Sequence, residues 1–233
     1  MGGYRVSGQY SRRLVVGFVC EGSTDIVVLR RIVEQVVGPI DARTLQPQTD
    51  ELDRTVPGSP AGWSEVRAWC ERLRDYNELF EPPVGDPFDL IIIGVDLDIA
   101  VRAGIYKMPE NLKAYDATAL CEVVKSWLAT PVPFKLIIVI PAMAIEAWIL
   151  AAMFPKRPRP EMELKPAQVL VQRGKMEQGA NGPWRQARRY SGFANIVAAK
   201  LKAVRSACPE ADRFVAKLER FEHQRVGDPR PGG

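Results

Sequence analysis

Short apolar runs alternate with amphipathic segments along the first two thirds of the chain. Residues 13–20, 89–95 and 134–140 are apolar apart from one charged residue at or near the start of each, and they are rich in β-branched side chains, which is typical of buried strands. Residues 40–46 are a weaker candidate for a further strand. Between and after these runs, apolar residues recur at helical spacing. The predicted helices cover residues 24–37, 62–80, 116–129 and 144–154.

The order of these elements predicts the fold class. Strands that alternate with helices, and that are apolar throughout, favour a parallel sheet covered on both faces. We therefore predict an α/β fold with a Rossmann-like, mostly parallel four-stranded sheet and helices on both faces. In such folds the ligand sites lie beyond the carboxyl ends of the strands.

The last third of the chain has a different character. A proline-rich and charged junction at 156–166 leads into a polar, basic segment that runs to Tyr190. Two helices are predicted after it, one with its apolar face at Phe193, Ile196, Val197, Leu201 and Val204, the other at Phe214, Val215, Leu218 and Phe221. We predict an α/β domain over residues 1–155 and a mostly helical extension packed on it over 156–233.

Charge is distributed unevenly between these two parts. The net charge of the 233 residues is +4, but residues 156–233 hold 17 Lys and Arg against 8 Asp and Glu, a net of +9, whereas residues 1–155 have a net of −5. A basic region beside an acidic body suggests a polyanion as partner. The alternative is that the charges lie on solvated helix faces, and charge alone does not separate the two.

Composition excludes several classes of protein. No apolar run approaches the ~20 residues of a membrane-spanning helix, so we expect no membrane partner. The four cysteines are widely spaced, which favours buried thiols and a cytoplasmic location over disulfides. His223 is the only histidine and lies near the end of the sequence, which argues against a His-based triad. No GxxxxGK[ST] or GxGxxG motif accompanies the first strand.

Acidic residues follow two of the predicted strands. Glu21 comes directly after the first, and Asp96 and Asp98 come directly after the third. Positions i and i+2 point the same way if a strand continues through them, so Asp96 and Asp98 together offer two carboxylates to one cation. Mg²⁺ takes oxygen ligands and keeps several waters, so two or three carboxylates are enough to hold it, or Mn²⁺ in its place. Without a cation the three acids would repel each other.

Glu146 is a candidate for the same site. It lies inside an otherwise apolar run after the fourth strand, where an unpaired acid is costly to bury. The alternative is a glutamate in the first turn of a helix, favoured there by the helix dipole.

At this point the sequence resembles the Toprim family. VCEGSTD at 19–25 is similar to the strand, Glu-Gly and helix signature of that family, and GVDLD at 94–98 is similar to its Asp-x-Asp signature. The resemblance covers roughly residues 13–150 and is greatest to small stand-alone prokaryotic Toprim proteins, related to overcoming-lysogenization-defect-type nucleases. It implies that Glu21 is the acid/base residue or a metal ligand and that Asp96 and Asp98 hold Mg²⁺. No further acid follows Asp98 closely, which puts a second metal in doubt.

A basic, glycine-rich segment at 174–192 offers contacts to phosphates. Lys175, Arg185, Arg188 and Arg189 are the candidates, with Trp184 or Tyr190 stacking on bases. The alternative is a loop followed by an ordinary basic helix.

The sequence thus predicts a Mg²⁺-dependent nuclease-like protein that acts on nucleic-acid phosphodiesters, with phage defence as its expected setting. DNA and RNA remain equal alternatives as substrate, and a homodimer or a partner subunit of a defence system is an expected assembly. Two other functions stay open: a non-catalytic Toprim-like module that binds nucleic acid or protein, and an enzyme acting on a nucleotide-type small molecule.

Overall fold

A computed structural model describes residues 12–48, 61–73, 75, 77–98, 117–128, 131–180, 182–183 and 187–227, with backbone alone at 77, 187 and 188. Four strands form its main sheet: β1 (Leu14–Val19), β2 (Ile40–Gln46), β3 (Leu90–Gly94) and β4 (Leu136–Val139). They run parallel in the order β2-β1-β3-β4. The predicted α/β class and four-stranded sheet are confirmed, and every pairing within this sheet is parallel.

The helices cover both faces of this sheet. Along the chain the first helices are α1 (Ser23–Val37), α2 (Trp63–Arg72), α3 (Asn77–Phe80), α4 (Ala117–Ser126) and α5 (Glu146–Met153). Of these, α1 and α5 cover one face of the sheet, and α2, α3 and α4 cover the other. After a 3₁₀ turn at Pro160–Met162 come α6 (Pro166–Gln172), α7 (Ala187–Ala199), α8 (Leu201–Ala207) and α9 (Pro209–Gly227). A two-stranded antiparallel ribbon, Gln178–Gly179 with Gly182–Pro183, interrupts the glycine-rich segment that the sequence analysis treats as a loop. None of the described helices is both long and apolar enough to cross a membrane.

Two predicted helices are each divided in the structure. The helix expected over 62–80 ends at Arg72 because Leu73 takes an extended backbone conformation, and α3 begins only at residue 77. Asp75 and Asn77 lie at this break, and such residues favour helix starts over helix interiors. The first predicted C-terminal helix is likewise divided at Lys200 into α7 and α8.

Each face of the sheet has its own apolar core. One core lies under α2 and α4, around Val66, Ile93 and Leu120. The other lies under α1 and α5 and includes residues of the C-terminal helices such as Tyr190 and Phe214. The last third of the chain therefore shares a core with the sheet, and α7 and α9 both pack on α1. The division into domains at residue 155 stays a prediction.

A buried carboxylate fastens α5 to the beginning of α9. Glu161 accepts hydrogen bonds from Trp148 Nε1 at 2.8 Å and from the backbone N–H of Glu210 at 3.2 Å. Burial raises the pKa of Glu161 to about 7, against the lowering effect of these donors. Trp148 also stacks on Phe214 of α9, with ring centroids 6.2 Å apart.

Gly17 in the middle of β1 allows the core under α2 and α4 to close on the sheet. A Cβ built at this position would lie 2.6 Å from Ile91 Cδ1, 2.8 Å from Leu45 Cδ1 and 3.1 Å from Phe88 Cε1. Three side chains therefore occupy the space that a larger residue would need.

We predict that Gly17→Ala lowers the free energy of unfolding by about 1–3 kcal/mol, the usual cost of overpacking a core. Urea denaturation measures the change. Gly192→Ala is the matched control, because Gly192 lies within α7 and nothing lies within 4 Å of the position of its Cβ. The control variant should be as stable as the parent or slightly more stable. Equal stability of Gly17→Ala and the parent would contradict the packing argument.

Candidate functional site

Glu21 and Asp96 are joined directly at the carboxyl end of the sheet. The backbone N–H groups of Val95 and Leu97 donate to the carbonyls of Val139, in β4, and of Pro141, just after it. Because successive N–H groups of an extended chain point to opposite sides, the N–H of Asp96 between them faces β1. It donates to Glu21 Oε1 at 2.7 Å. The side chain of Glu21 thus continues the hydrogen bonding between β1 and β3 beyond the end of the β1 strand.

Further carboxylates surround Asp96. Burial is the largest cause of a pKa well above the usual range for Asp96, and repulsion from neighbouring carboxylates raises it further. In decreasing order of effect these neighbours are Asp25, Glu21, Glu146 and Asp98. We call these five residues the carboxylate cluster. All of them except Asp98 are buried, and Asp98 is half-buried.

Asp25 belongs to the cluster although the sequence analysis did not single it out. It lies in the first turn of α1, and its Oδ2 accepts a hydrogen bond from the backbone N–H of Gly22 at 3.1 Å. A signal was present in the sequence, because Asp25 shares one helical face with Leu29 and Ile32, which are both fully buried. An acid on the buried face of a helix next to a strand end is a candidate for the same site.

The argument that placed Asp96 and Asp98 side by side does not hold. It required the strand to continue through residue 98, but β3 ends at Gly94 and residues 97–98 are helical. Asp96 is therefore buried while Asp98 lies nearer the surface. Asp98 still acts on Asp96 electrostatically, but as the weakest of the four neighbours.

Glu146 is held in the cluster by the C-terminal part of the chain. It is the first residue of α5 and is 1% exposed. The hydroxyl of Tyr190, on α7, donates to Glu146 Oε1 at 2.5 Å. A tight turn precedes α5, in which Ala144 N–H donates to the Ala142 carbonyl at 2.8 Å and Met143 has a φ of 62°. Such a conformation is unfavourable for a residue other than glycine.

The basic candidates are only partly within the described residues. Lys175 is exposed, and Arg189 is exposed and forms an ion pair with Glu177 at 2.5 Å. Arg185, the side chain of Arg188 and Trp184 lie outside the described residues.

Tyr190 is not a stacking platform for bases, as the sequence analysis suggested. Its side chain is fully buried, packs edge-on against Phe193 with ring centroids 5.6 Å apart, and is hydrogen-bonded to Glu146. It is preceded directly by Arg189 on α7, so the basic segment reaches the carboxylate cluster at this point of the fold.

The donor chemistry of the cluster suits a hard divalent cation, since all five side chains offer carboxylate oxygens. Within the part of the chain that the structure describes, no three His, Cys, Asp or Glu side chains are already placed together as metal ligands. The cluster is thus concentrated in charge without being arranged as a complete ligand shell.

Comparisons with known proteins identify no relative: no family model, no curated protein and no solved structure matches the chain.

We predict that Asp96→Asn stabilises the metal-free protein at about pH 8 and has a smaller effect at about pH 5. The pKa of Asp96 in the folded state is raised above its unfolded value of about 3.9. Between these two pKa values the folded state binds more protons than the unfolded state, so the protein loses stability as the pH rises. An asparagine removes this loss. Urea denaturation in a metal chelator at both pH values measures it. Asp41→Asn, at a carboxylate that is 51% exposed, is the control and should leave the pH dependence unchanged.

We also predict that Tyr190→Phe lowers the free energy of unfolding by about 1–3 kcal/mol, because it removes a donor to a buried carboxylate. A double-mutant cycle with Glu146→Gln isolates this interaction. A coupling energy of about 1 kcal/mol or more is expected. Additive effects of the two substitutions would show that the hydroxyl does not support Glu146.

Proposed function

We propose that this protein is a Mg²⁺-dependent, nuclease-like enzyme that acts on nucleic-acid phosphodiesters. The observation that carries the proposal is the carboxylate cluster, in which the ends of β1, β3 and β4 bring together acids that raise the pKa of Asp96. Strongly perturbed acids at the carboxyl end of a parallel sheet are typical of functional sites. The similarity of residues 19–25 and 94–98 to the Toprim signatures supports the same reading.

A divalent cation would relieve the repulsion within the cluster. Mg²⁺ is commonly held in proteins by only one or two carboxylates together with waters and substrate phosphates, so a complete ligand shell is not required beforehand. Asp96 and Asp98 are the proposed ligands, with Glu146 at their side. When bound, Mg²⁺ supplies positive charge that polarises a phosphoryl oxygen and lowers the pKa of coordinated water.

The protein's own side chains have distinct proposed roles. Glu21 is fixed through Oε1 by the Asp96 N–H, which holds its other oxygen in place to accept a proton from an attacking water. Asp25 is fixed in the same way by the Gly22 N–H. The Tyr190 hydroxyl sets the orientation of Glu146. Three backbone or side-chain donors thus position the acids before a substrate arrives.

The basic part of the chain supports a polyanionic substrate. A carboxylate cluster repels phosphates, so an enzyme that cleaves a nucleic-acid backbone needs cations nearby to hold the strand. Lys175, Arg185, Arg188 and Arg189 are the proposed contacts. The support for them is that Tyr190, which directly follows Arg189, lies against Glu146 of the cluster. A setting in phage defence belongs to the same proposal.

We predict that the purified protein cleaves DNA or RNA when Mg²⁺ or Mn²⁺ is added and not when the metal is chelated. Asp96→Asn and Asp98→Asn should each reduce the rate at least about 100-fold, since metal charge contributes several kcal/mol to such reactions. Asp41→Asn is the control and should retain full activity. Gel assays with labelled single- and double-stranded substrates of both kinds measure the rates.

Thermal melting with and without Mg²⁺ distinguishes metal binding at the carboxylate cluster from cleavage of nucleic acid. The metal should raise the melting temperature of the parent protein and not that of Asp96→Asn. Metal binding without cleavage would favour a non-catalytic binding module. Cleavage of nucleotides alone would favour an enzyme for small molecules. Full cleavage activity in both Asp96→Asn and Asp98→Asn would remove the cluster from the proposed chemistry.

We predict that nucleic-acid binding weakens steeply with salt and that a Lys175→Ala, Arg189→Ala double variant flattens this dependence. Loss of two phosphate contacts should reduce the slope of log K against log salt by about 1.4 to 1.8. A Lys200→Ala, Lys202→Ala variant removes the same charge from two exposed lysines at the start of α8 and should keep the slope of the parent protein. Fluorescence anisotropy gives the slopes. Equal slopes in all three proteins would place the phosphate contacts elsewhere.

A further inference from the structure

A second site is suggested at the open edge of the sheet. A cavity of about 190 Å³ lies beside β4, between α4 and α9. Its lining includes the cations Lys125, Arg213 and Lys217 and the apolar side chains of Ile140 and Phe214. None of the carboxylate cluster lines it, so the cavity is a separate feature of the fold.

Lys217 reaches across the edge of β4. The carbonyls of Lys135 and Val139 accept hydrogen bonds from β3, so the carbonyl of Ile138 between them faces away from β3. Lys217 Nζ donates to this carbonyl at 2.7 Å. The contact occupies an acceptor that an additional strand would need, and it therefore protects the edge against strand addition. The cavity is left as a place for a small molecule.

Lys217 has no ion-pair partner among the described residues, although Glu210 of the same lining attracts it from a greater distance. Lys125 forms an ion pair with Glu122 at 2.7 Å, and Arg213 forms one with Glu210. Among the described residues, no carboxylate lies within ion-pair distance of the Lys217 ammonium, which uses one of its three N–H donors on the carbonyl. The five charged side chains of the lining sum to +1, three cations against two anions.

Burial makes this charge receptive to an anion. Loss of hydration lowers the pKa of Lys217, which means that the ammonium is destabilised where it lies. An anion beside it would compensate for the lost hydration and form a charge-assisted hydrogen bond. The volume lies below the ~300 Å³ at which drug-sized ligand pockets begin, so the occupant must be small.

We propose that this cavity binds a small organic anion whose phosphate or carboxylate group contacts the Lys217 ammonium and whose apolar body lies against Phe214 and Ile140. The proposal is independent of the proposed nuclease activity, because none of its residues belongs to the carboxylate cluster.

Cys121 provides a local reporter of occupancy. It lines the cavity and is partly exposed, whereas Cys20, Cys70 and Cys208 are buried. The rate at which iodoacetamide alkylates Cys121 is followed by peptide mass spectrometry. Phenyl phosphate and benzoate are the anionic probes, and comparing them shows whether the site prefers a phosphate or a carboxylate. Benzyl alcohol is the uncharged analogue, and sodium chloride matches the ionic strength.

At least one of the two anions should slow alkylation of Cys121 saturably and at least about tenfold, and benzyl alcohol and sodium chloride should not. Lys217→Met keeps the aliphatic side chain but removes the charge, and should abolish the protection. Lys202→Met, at an exposed lysine of α8, is the matched control and should retain it. Arg213 is 58% exposed, so Arg213→Met carries little risk to the fold. It removes a second cation from the lining and should weaken protection severalfold.

Unchanged alkylation of the parent protein at saturating concentrations of both anions would overturn the proposal. Protection that persists in Lys217→Met would do the same. Should Lys217→Met not fold, the parent protein and Arg213→Met decide the question: protection by an anion that is equal in these two proteins would exclude an anion site at this cavity.

Discussion

Repulsion between buried carboxylates is the constraint on which the rest of this structure depends. Five acids meet where three parallel strands end, and burial together with their mutual repulsion keeps the pKa of Asp96 high. The fold directs a separate donor at three of them: the Asp96 N–H at Glu21, the Gly22 N–H at Asp25 and the Tyr190 hydroxyl at Glu146. These donors hold the acids in place but do not cancel their charge. The arrangement gives a cation a strong electrostatic reason to bind, which is why we connect it with metal-dependent chemistry.

The last third of the chain contributes to this site and is more than an attachment to the sheet. Tyr190 on α7 reaches Glu146, Glu161 joins α5 to α9, and Lys217 on α9 contacts the edge strand. The apolar core under α1 includes side chains from both parts of the chain. A substitution in the C-terminal helices can therefore alter the carboxylate cluster through packing alone, so nucleic-acid binding and site geometry must be measured separately in such variants.

Side chains of opposite charge type, an acid and a base, lie beyond the carboxyl end of β4 and along its edge. Beyond its carboxyl end lies Glu146 in the carboxylate cluster, whereas at its open edge Lys217 places a cation over a cavity. Glu146 is buried and Lys217 is partly buried, so neither side chain is fully hydrated, and each is a favourable place for a ligand of opposite sign. The first is suited to a divalent cation and the second to a small anion. The two proposals stand on different residues and can fail independently.

The sequence by itself determined the elements and the edge at which the acids gather. Continuous apolar runs predicted three of the four strands, and residues 40–46 were a weaker candidate for the fourth. A parallel sheet places Glu21, Asp96 and the residues after β4 at one end. Local patterns could not predict that β3 ends at Gly94, which separates Asp98 from the buried Asp96, nor that the first predicted C-terminal helix breaks at Lys200. Only the tertiary structure decided that Asp25 joins the cluster and that Tyr190 supports Glu146, 44 residues away along the chain. Periodicity reports which face of an element is buried, whereas the identity of the groups that meet there depends on how distant elements pack against each other.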